Sequence, residues 1–253
     1  MGEGFRSVFS AKIKKEVFRL MGKEVAGAYF HADTYLRHTA RRLEHLASLR
    51  IPVAGMSVLE VGAGIGDFSH YFLDRNCRLV ITEARAANIK VLRKRYPDVD
   101  VRFLDMENPI LSPDLLFDVV HCYGLLYHLS RPERALEFLA RCCARMLFLE
   151  TCVSFGDAQE LDLVTEDRAN PTQSFTGNGC RPTREWVAAR LKEHFAYVYV
   201  PLTQPRHEEF PLDWTDPALH HNPLARAVFI ASRNKLKNDR LVPCLPKRQL
   251  AQE

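Results

Sequence analysis

The sequence predicts an α/β domain: a doubly wound, mainly parallel sheet of seven strands, with an N-terminal helical layer and a cap insertion. Three observations carry that expectation. Short apolar runs alternate with helical stretches between residues 57 and 153. Those runs are apolar along their length, as in strands covered on both faces by helices. The first of them, VLEV, breaks into the glycines of GAGIG, where the carboxyl edge of such a sheet turns toward a ligand crevice.

Each element follows in order. Residues 11–49 read as largely helical, with Leu36, Leu43, Leu46 and Leu49 at roughly helical spacing, until Pro52 and Gly55 close the layer. A strand is expected at 57–61 and a helix at 66–75, then a strand at 77–83 and a helix at 84–96 stopped by Pro97. Strands at 99–105 and 117–123 precede a helix at 131–143, whose Pro132 suits a first turn. RMLFLETCV gives the strand at 145–153. The polar, turn-rich stretch beyond residue 155 is too long for a connector and reads as a lid or cap. A helix opens after Thr183, a simple N-cap, and the last strands are expected at 196–202 and 225–232. The division is therefore a helical segment at 1–50, a core at 51–232 with an insertion at 156–185 and a loop at 203–223, and a polar basic tail at 233–253.

Composition bounds the function. A chain of 253 residues, 47% apolar and 26% charged, suits one soluble α/β domain with a modest cap. It holds no apolar run of about 18 residues that would cross a membrane. The start lacks a secretory core, and the seven cysteines form no CxxC pair, so reduced thiols and a cytoplasmic location are expected. The formal net charge of +4 belongs to the ends. Residues 1–50 carry 10 basic and 5 acidic side chains, residues 233–253 carry 6 and 2, and the middle carries 19 and 24. An acidic body argues against a nucleic-acid substrate.

Gly62, Gly64 and Gly66 let a backbone turn approach a ligand closely. A dinucleotide fingerprint would need glycine at 67, where Asp67 stands instead, better suited to capping the helix; a phosphate-binding loop would need GKS or GKT. A cofactor without phosphates removes the conflict. S-adenosylmethionine carries adenosine, a methionyl group and a sulfonium charge, and tolerates nearby carboxylates. Successive strand ends agree with it. Glu83 ends the second strand, where a carboxylate can accept both ribose hydroxyls. Asp105 and Met106 end the third and suit the amine and ring of adenine; His121 and Cys122 end the fourth.

These pieces, EVGAGIG, ITEA, FLDME and FDVVHCYGLLYHLSRPERAL, resemble the class I S-adenosylmethionine-dependent methyltransferases, particularly small-molecule and wobble-uridine modifying members. The resemblance covers residues 55–153 and implies a Rossmann-like core. It implies that the loop of Gly62, Ala63, Gly64 and Gly66, organised by Glu60, holds the methionyl part, that Glu83 binds the ribose and that Asp105 meets the adenine; Ala84, Met106 and His121 are expected beside them in the cofactor site. It also implies that the N-terminal segment folds over the donor pocket, with Tyr35 or Arg37 at the methionyl carboxylate.

His128 and His121 are the candidate bases, since imidazole can take a proton from a hydroxyl or amine. Tyr123 and Tyr127 are candidates for the acceptor side, and Arg206 for a carboxylate or phosphate. His207, His220 and His221 share one loop with several acids but lack HxxxH spacing, so no metal is expected. The expected activity is in-line methyl transfer to an O or N nucleophile of a small molecule, achieved mostly by alignment. An RNA or protein methyltransferase, a noncatalytic domain on the same scaffold and an NAD-dependent oxidoreductase are the alternatives. Neither the acceptor nor the oligomeric state is legible.

Overall fold

The computed structural model describes residues 29–110, 115–170 and 172–253. The expected helix over 11–28 lies outside the described residues. Helix α1 (Asp33–Ser48) leads into strand β1 (Ser57–Val61), the short helix α2 (Ser69–Leu73), β2 (Arg78–Glu83), α3 (Ala86–Arg95), β3 (Asp100–Phe103) and β4 (Phe117–Tyr123). A 3-10 turn (Leu126–His128), α4 (Pro132–Arg141) and β5 (Cys143–Val153) follow. The hairpin β6 (Leu161–Thr165) and β7 (Asn178–Pro182), α5 (Arg184–His194), β8 (Tyr197–Pro201) and β9 (Thr203–Gln204) come next. The chain ends with β10 (Ala225–Ser232), β11 (Leu241–Val242) and β12 (Leu250–Ala251).

The main sheet has the order β11-β8-β10-β5-β4-β1-β2-β3. Its strands β1 to β5 pair in parallel, while β10 runs antiparallel to both neighbours, β5 and β8. The chain therefore reverses between β1 and β4 and leaves a crevice at their carboxyl ends.

Successive residues on each strand serve two cores, which is why the strands are apolar throughout. Leu59, Val120, Leu147 and Leu149 pack with Leu136 and Leu139 of α4 and Val187 and Leu191 of α5. Their neighbours Val58, Val119 and Phe148 pack with Leu46 of α1, Phe72 of α2, and Ile89 and Leu92 of α3. Thr183 caps α5 as expected, its hydroxyl accepting the Trp186 N–H at 3.2 Å.

Three expectations need correction. The sheet has eight strands, because the segment at 233–253 is not a tail. Leu241 is buried as β11 pairs with β8, and Gln249 accepts from Trp214 Nε1 at 2.8 Å while donating to the Pro201 carbonyl at 2.7 Å. These ties use backbone and amide groups, which leave no apolar period in the sequence. The predicted helix over 66–75 shrinks to five residues, and Asp67 does not cap it; Asp67 pairs with Arg95 at 2.5 Å. The leucine spacing of α1 holds for Leu43, Leu46 and Leu49, which pack in or against the core, but Leu36 is exposed and the buried face extends to His38, Thr39, Arg42 and His45. A polar face turned inward means that this helix looks onto something other than hydrocarbon.

Candidate active site

That something is a cavity of about 380 Å³ at the carboxyl ends of β1, β2 and β4, roofed by α1 and the β6–β7 hairpin. The volume lies within the usual range for small-ligand sites.

The glycine loop forms one wall. Gly62, Ala63 and Gly64 line the cavity, whereas Gly66 does not. A Cβ at Gly66 would lie 2.6 Å from Tyr96 and 2.7 Å from Leu92, so this glycine admits α3 rather than a ligand. Glu60 sits beneath the loop, its carboxylate accepting the Ser69 hydroxyl at 2.5 Å, and burial pushes its pKa up to about 8. Glu83 crosses from β2: Oε2 accepts the Gly64 N–H at 2.8 Å, and Oε1 accepts those of Ala84 and Arg85 at 2.9 and 2.8 Å. Ala84, Asp105 and Met106 line the same end.

The loop amides decide between cofactors. Those of Gly62 and Ala63 donate to the Thr82 carbonyl, that of Gly64 to Glu83, and that of Gly66 to the Ala63 carbonyl. A pyrophosphate would find these four N–H groups already used, with Glu83 and Asp67 facing it across the cavity. An adenosine-bearing donor without phosphates fits, since Glu83 retains carboxylate acceptor capacity for a diol beyond its three backbone bonds.

The opposite wall comes from β4 and the turn after it. His121 lies among Phe68, Phe72 and Tyr123, at ring-centroid distances of 5.1, 5.1 and 4.4 Å, and neither ring nitrogen has a partner among the described residues. Burial lowers its pKa to about 3, so the ring is neutral near pH 7. The Tyr123 hydroxyl is likewise buried without a partner among those residues. His128 lines the cavity with Nδ1 against the carboxylate of Glu166, which arrives from the hairpin. Burial pulls the His128 pKa down and the Glu166 carboxylate opposes it.

A charged chain that the sequence reasoning missed closes the site. Glu150, at the end of β5, is fully buried; its Oε2 accepts from Arg42 Nη1 and its Oε1 from Arg226 Nη1, both at 3.0 Å. Arg226 also donates to the Tyr127 hydroxyl at 3.1 Å and through Nε to Glu209. The basic residues picked from the sequence lie elsewhere. Arg37 is exposed and pairs with Glu208, and Arg206 is exposed; neither lines the cavity, whereas Tyr35 does. Extending the strand-end rule to β5 would have found Glu150, but no local pattern announces Arg42 or Arg226.

His38, His207 and Glu209 come close enough to suggest a metal. The donor set is a poor one. Arg226 holds the Glu209 carboxylate, and His207 Nδ1 already accepts the Glu209 N–H at 3.3 Å. A cation would have to displace a guanidinium.

Arg85 ties the hairpin to the Glu83 end of the cavity. Its guanidinium donates to the carbonyls of Asn170, Gln173 and Ser174 at 3.2, 2.9 and 3.0 Å and lies 5.8 Å from the centre of the Phe175 ring. Among the described residues, no helix is long and apolar enough to cross a membrane.

Residues 32–198, more than half of the chain, match the protein family described as "Methyltransferase domain". No match was found among curated proteins. Solved structures share the fold at low identity. The N-terminal domain of EvdMO1 with SAH bound has a TM-score of 0.59 at 20% identity, covering 78% of this chain and 81% of that one. An S-adenosylmethionine-dependent methyltransferase from Mesorhizobium loti gives 0.54 at 13%, covering 78% and 100%. The Burkholderia thailandensis 1,6-didemethyltoxoflavin-N1-methyltransferase, with its namesake compound and S-adenosylhomocysteine bound, gives 0.51 at 16%, covering 93% and 92%.

Proposed function

Because the chain belongs to the methyltransferase-domain family, we propose that it transfers a methyl group from S-adenosylmethionine to an O or N nucleophile of a small molecule. One observation carries the reading: the buried Glu83 carboxylate, fixed by three backbone N–H groups and facing the cavity beside a glycine loop whose amides are spent.

When bound, S-adenosylmethionine supplies a methyl group already activated on a sulfonium, with a neutral thioether as leaving group. The protein is left with binding, orientation and exclusion of water. Glu83 would accept the ribose hydroxyls, with Ala84 at its side, and Asp105 and Met106 would flank the adenine. Glu60, the glycine loop and His121 would shape the floor beneath the methionyl part. Tyr35 would meet the methionyl carboxylate with Arg42, which replaces Arg37 in that role because it lines the cavity. Tyr123, Tyr127 and His128 would face the acceptor, with His128 the better base of the two histidines; His121 is held neutral by burial.

The cavity is roofed by a helix and a hairpin, which suits a small acceptor better than a polymer. Of the four arginines lining it, Arg42 and Arg226 share one buried carboxylate, Arg181 pairs with Glu166 and Arg85 is taken up by hairpin carbonyls, so they offer no open stripe to a nucleic acid. A cytosolic setting accords with seven free cysteines, six of them buried.

Isothermal titration with S-adenosylmethionine, run beside NADH, tests the reading. Saturable binding of the first alone is expected. Glu83→Ala, if folded by circular dichroism, should weaken binding about tenfold or more, since a charge-assisted bond contributes roughly 1.5–3 kcal/mol. Unchanged affinity in that variant would remove Glu83 from the donor site, and binding of NADH instead would overturn the cofactor.

A further inference from the structure

Glu166 is 38 positions beyond His128 and belongs to the hairpin, yet its carboxylate meets the Nδ1 of that ring. It does not rest there casually. Its Oε2 also accepts the Ser174 N–H at 2.8 Å, and its Oε1 lies 3.3 Å from Arg181 Nη2. The side chain is 5% exposed. The neighbouring His128 and Arg181 hold its carboxyl below the usual carboxylate range against the effect of burial. An ionised carboxylate only accepts, so the proton between the two groups belongs to Nδ1 of His128. The ring's other nitrogen, Nε2, has no hydrogen-bond partner among the described residues, and the ring lines the cavity.

Gly179 on β7 supplies an independent sign that this berth is built. A Cβ there would lie 2.6 Å from the Tyr127 carbonyl oxygen and 2.8 Å from Glu166 Oε1. Gly179 is not among the positive-φ residues, so space and not backbone conformation keeps the position bare. The same missing methyl group admits the glutamate and the turn that carries His128.

We propose that Glu166 is the positioning residue that holds His128 as the Nδ1–H tautomer, leaving Nε2 to take a proton from a hydroxyl acceptor. This rests on the methyl-transfer reading and narrows it. The acceptor O–H bond breaks and its proton passes to Nε2. The oxygen pair forms the new O–C bond to the methyl group, and the C–S bond breaks with its electrons left on sulfur. A neutral amine attacks with its own lone pair and needs no base beforehand. A hydroxyl does, because its ordinary pKa lies far above neutrality, about 10 for a phenol. The dyad is therefore matched to an alcohol or phenol.

The test is nitrogen NMR of His128 in the full chain, for wild type, Glu166→Gln and Glu166→Asp. The expected wild-type signature is protonated Nδ1 and bare Nε2. Glu166→Gln should make the imidazolium about tenfold more acidic, since the lost carboxylate favoured the charged ring, and Glu166→Asp should restore part of that change. An Nε2–H tautomer in wild type, or the same titration in wild type and Glu166→Gln, would overturn the assignment. For the acceptor class, phenols and primary amines are offered with S-adenosylmethionine. O-methyl products whose kcat falls about tenfold or more in Glu166→Gln at unchanged KM support it. N-methyl products alone, formed equally by both, refute it. S-adenosylhomocysteine binding, followed separately by titration, reports on the methyl-transfer reading itself; its failure would leave the NMR result for Glu166 standing.

Discussion

Replacing Glu150 by Gln should destabilise the protein severely, and the geometry says which partner is left exposed to the loss. The carboxylate is fully buried and holds two guanidinium groups at 3.0 Å each. Arg226 would keep Glu209 as a counter-charge. Among the described residues Arg42 would keep no carboxylate, only neutral contacts with the Thr39 hydroxyl at 3.3 Å, Tyr35 and the Phe68 ring at 5.0 Å, and its Nε already lacks a partner there. Removing one member of a buried pair and stranding the other costs about 3–5 kcal/mol. For a chain of this size, that corresponds to a melting temperature lower by roughly 6–20 °C. Urea unfolding at pH 7 is the assay. Most of the cost is the stranded cation, so Arg42→Met added to Glu150→Gln should recover more than about 1 kcal/mol, a coupling typical of side chains in contact. A Glu150→Gln variant within about 0.5 kcal/mol of wild type, the range of ordinary surface changes, would refute the reasoning. So would a double variant less stable than the single one.

Two further predictions concern the glycine loop. Glu60 has its pKa raised from 4.5 unfolded to about 8 folded, so the folded state keeps a proton that the unfolded chain releases. That contribution is complete below pH 4.5 and is lost as pH rises through about 8, falling by roughly 3 kcal/mol between pH 4.5 and 7. Glu60→Gln should remove that part of the slope, and parallel stability curves for the two proteins in urea would contradict it. Gly66→Ala should cost about 2–5 kcal/mol, combining a left-handed backbone with overpacking against Tyr96 and Leu92. Gly55→Ala carries a positive φ with open space around it and should cost only about 1–2 kcal/mol. Equal losses in thermal melts would mean that the packing against α3 is not what position 66 requires.

The parts legible in the sequence are those written in local periodicity. The strands at 57–61, 117–123 and 225–232 stand where the apolar runs place them, because their apolar residues feed one of two cores. Glu83 and the loop before it were legible for the same reason: a strand end fixes where a side chain emerges. Contacts between distant elements left no such trace. Arg42 joins Glu150 across 108 positions and Arg226 joins it across 76, and nothing near either arginine distinguishes it from Arg37 or Arg206. Glu166 looked like one acid among several in a polar insertion until the hairpin register carried it to His128. The final segment was misread because its strands are two residues each, too short for any period.

The insertion of β10 between β5 and β8 sets an order in time. A ribosome delivers Arg226 76 positions after Glu150, roughly 4–15 s later at ordinary elongation rates. Strands β1 to β5 can meet before then, since each is already made, but the middle of the sheet stays open until β10 emerges. During that interval Glu150 has Arg42 alone, and the Tyr127 hydroxyl has no guanidinium beneath it. The wall around Glu83 can thus form on a growing chain while the wall around Tyr127 cannot. A nascent copy can complete the glycine-loop side of the cavity before the side that Arg226 closes.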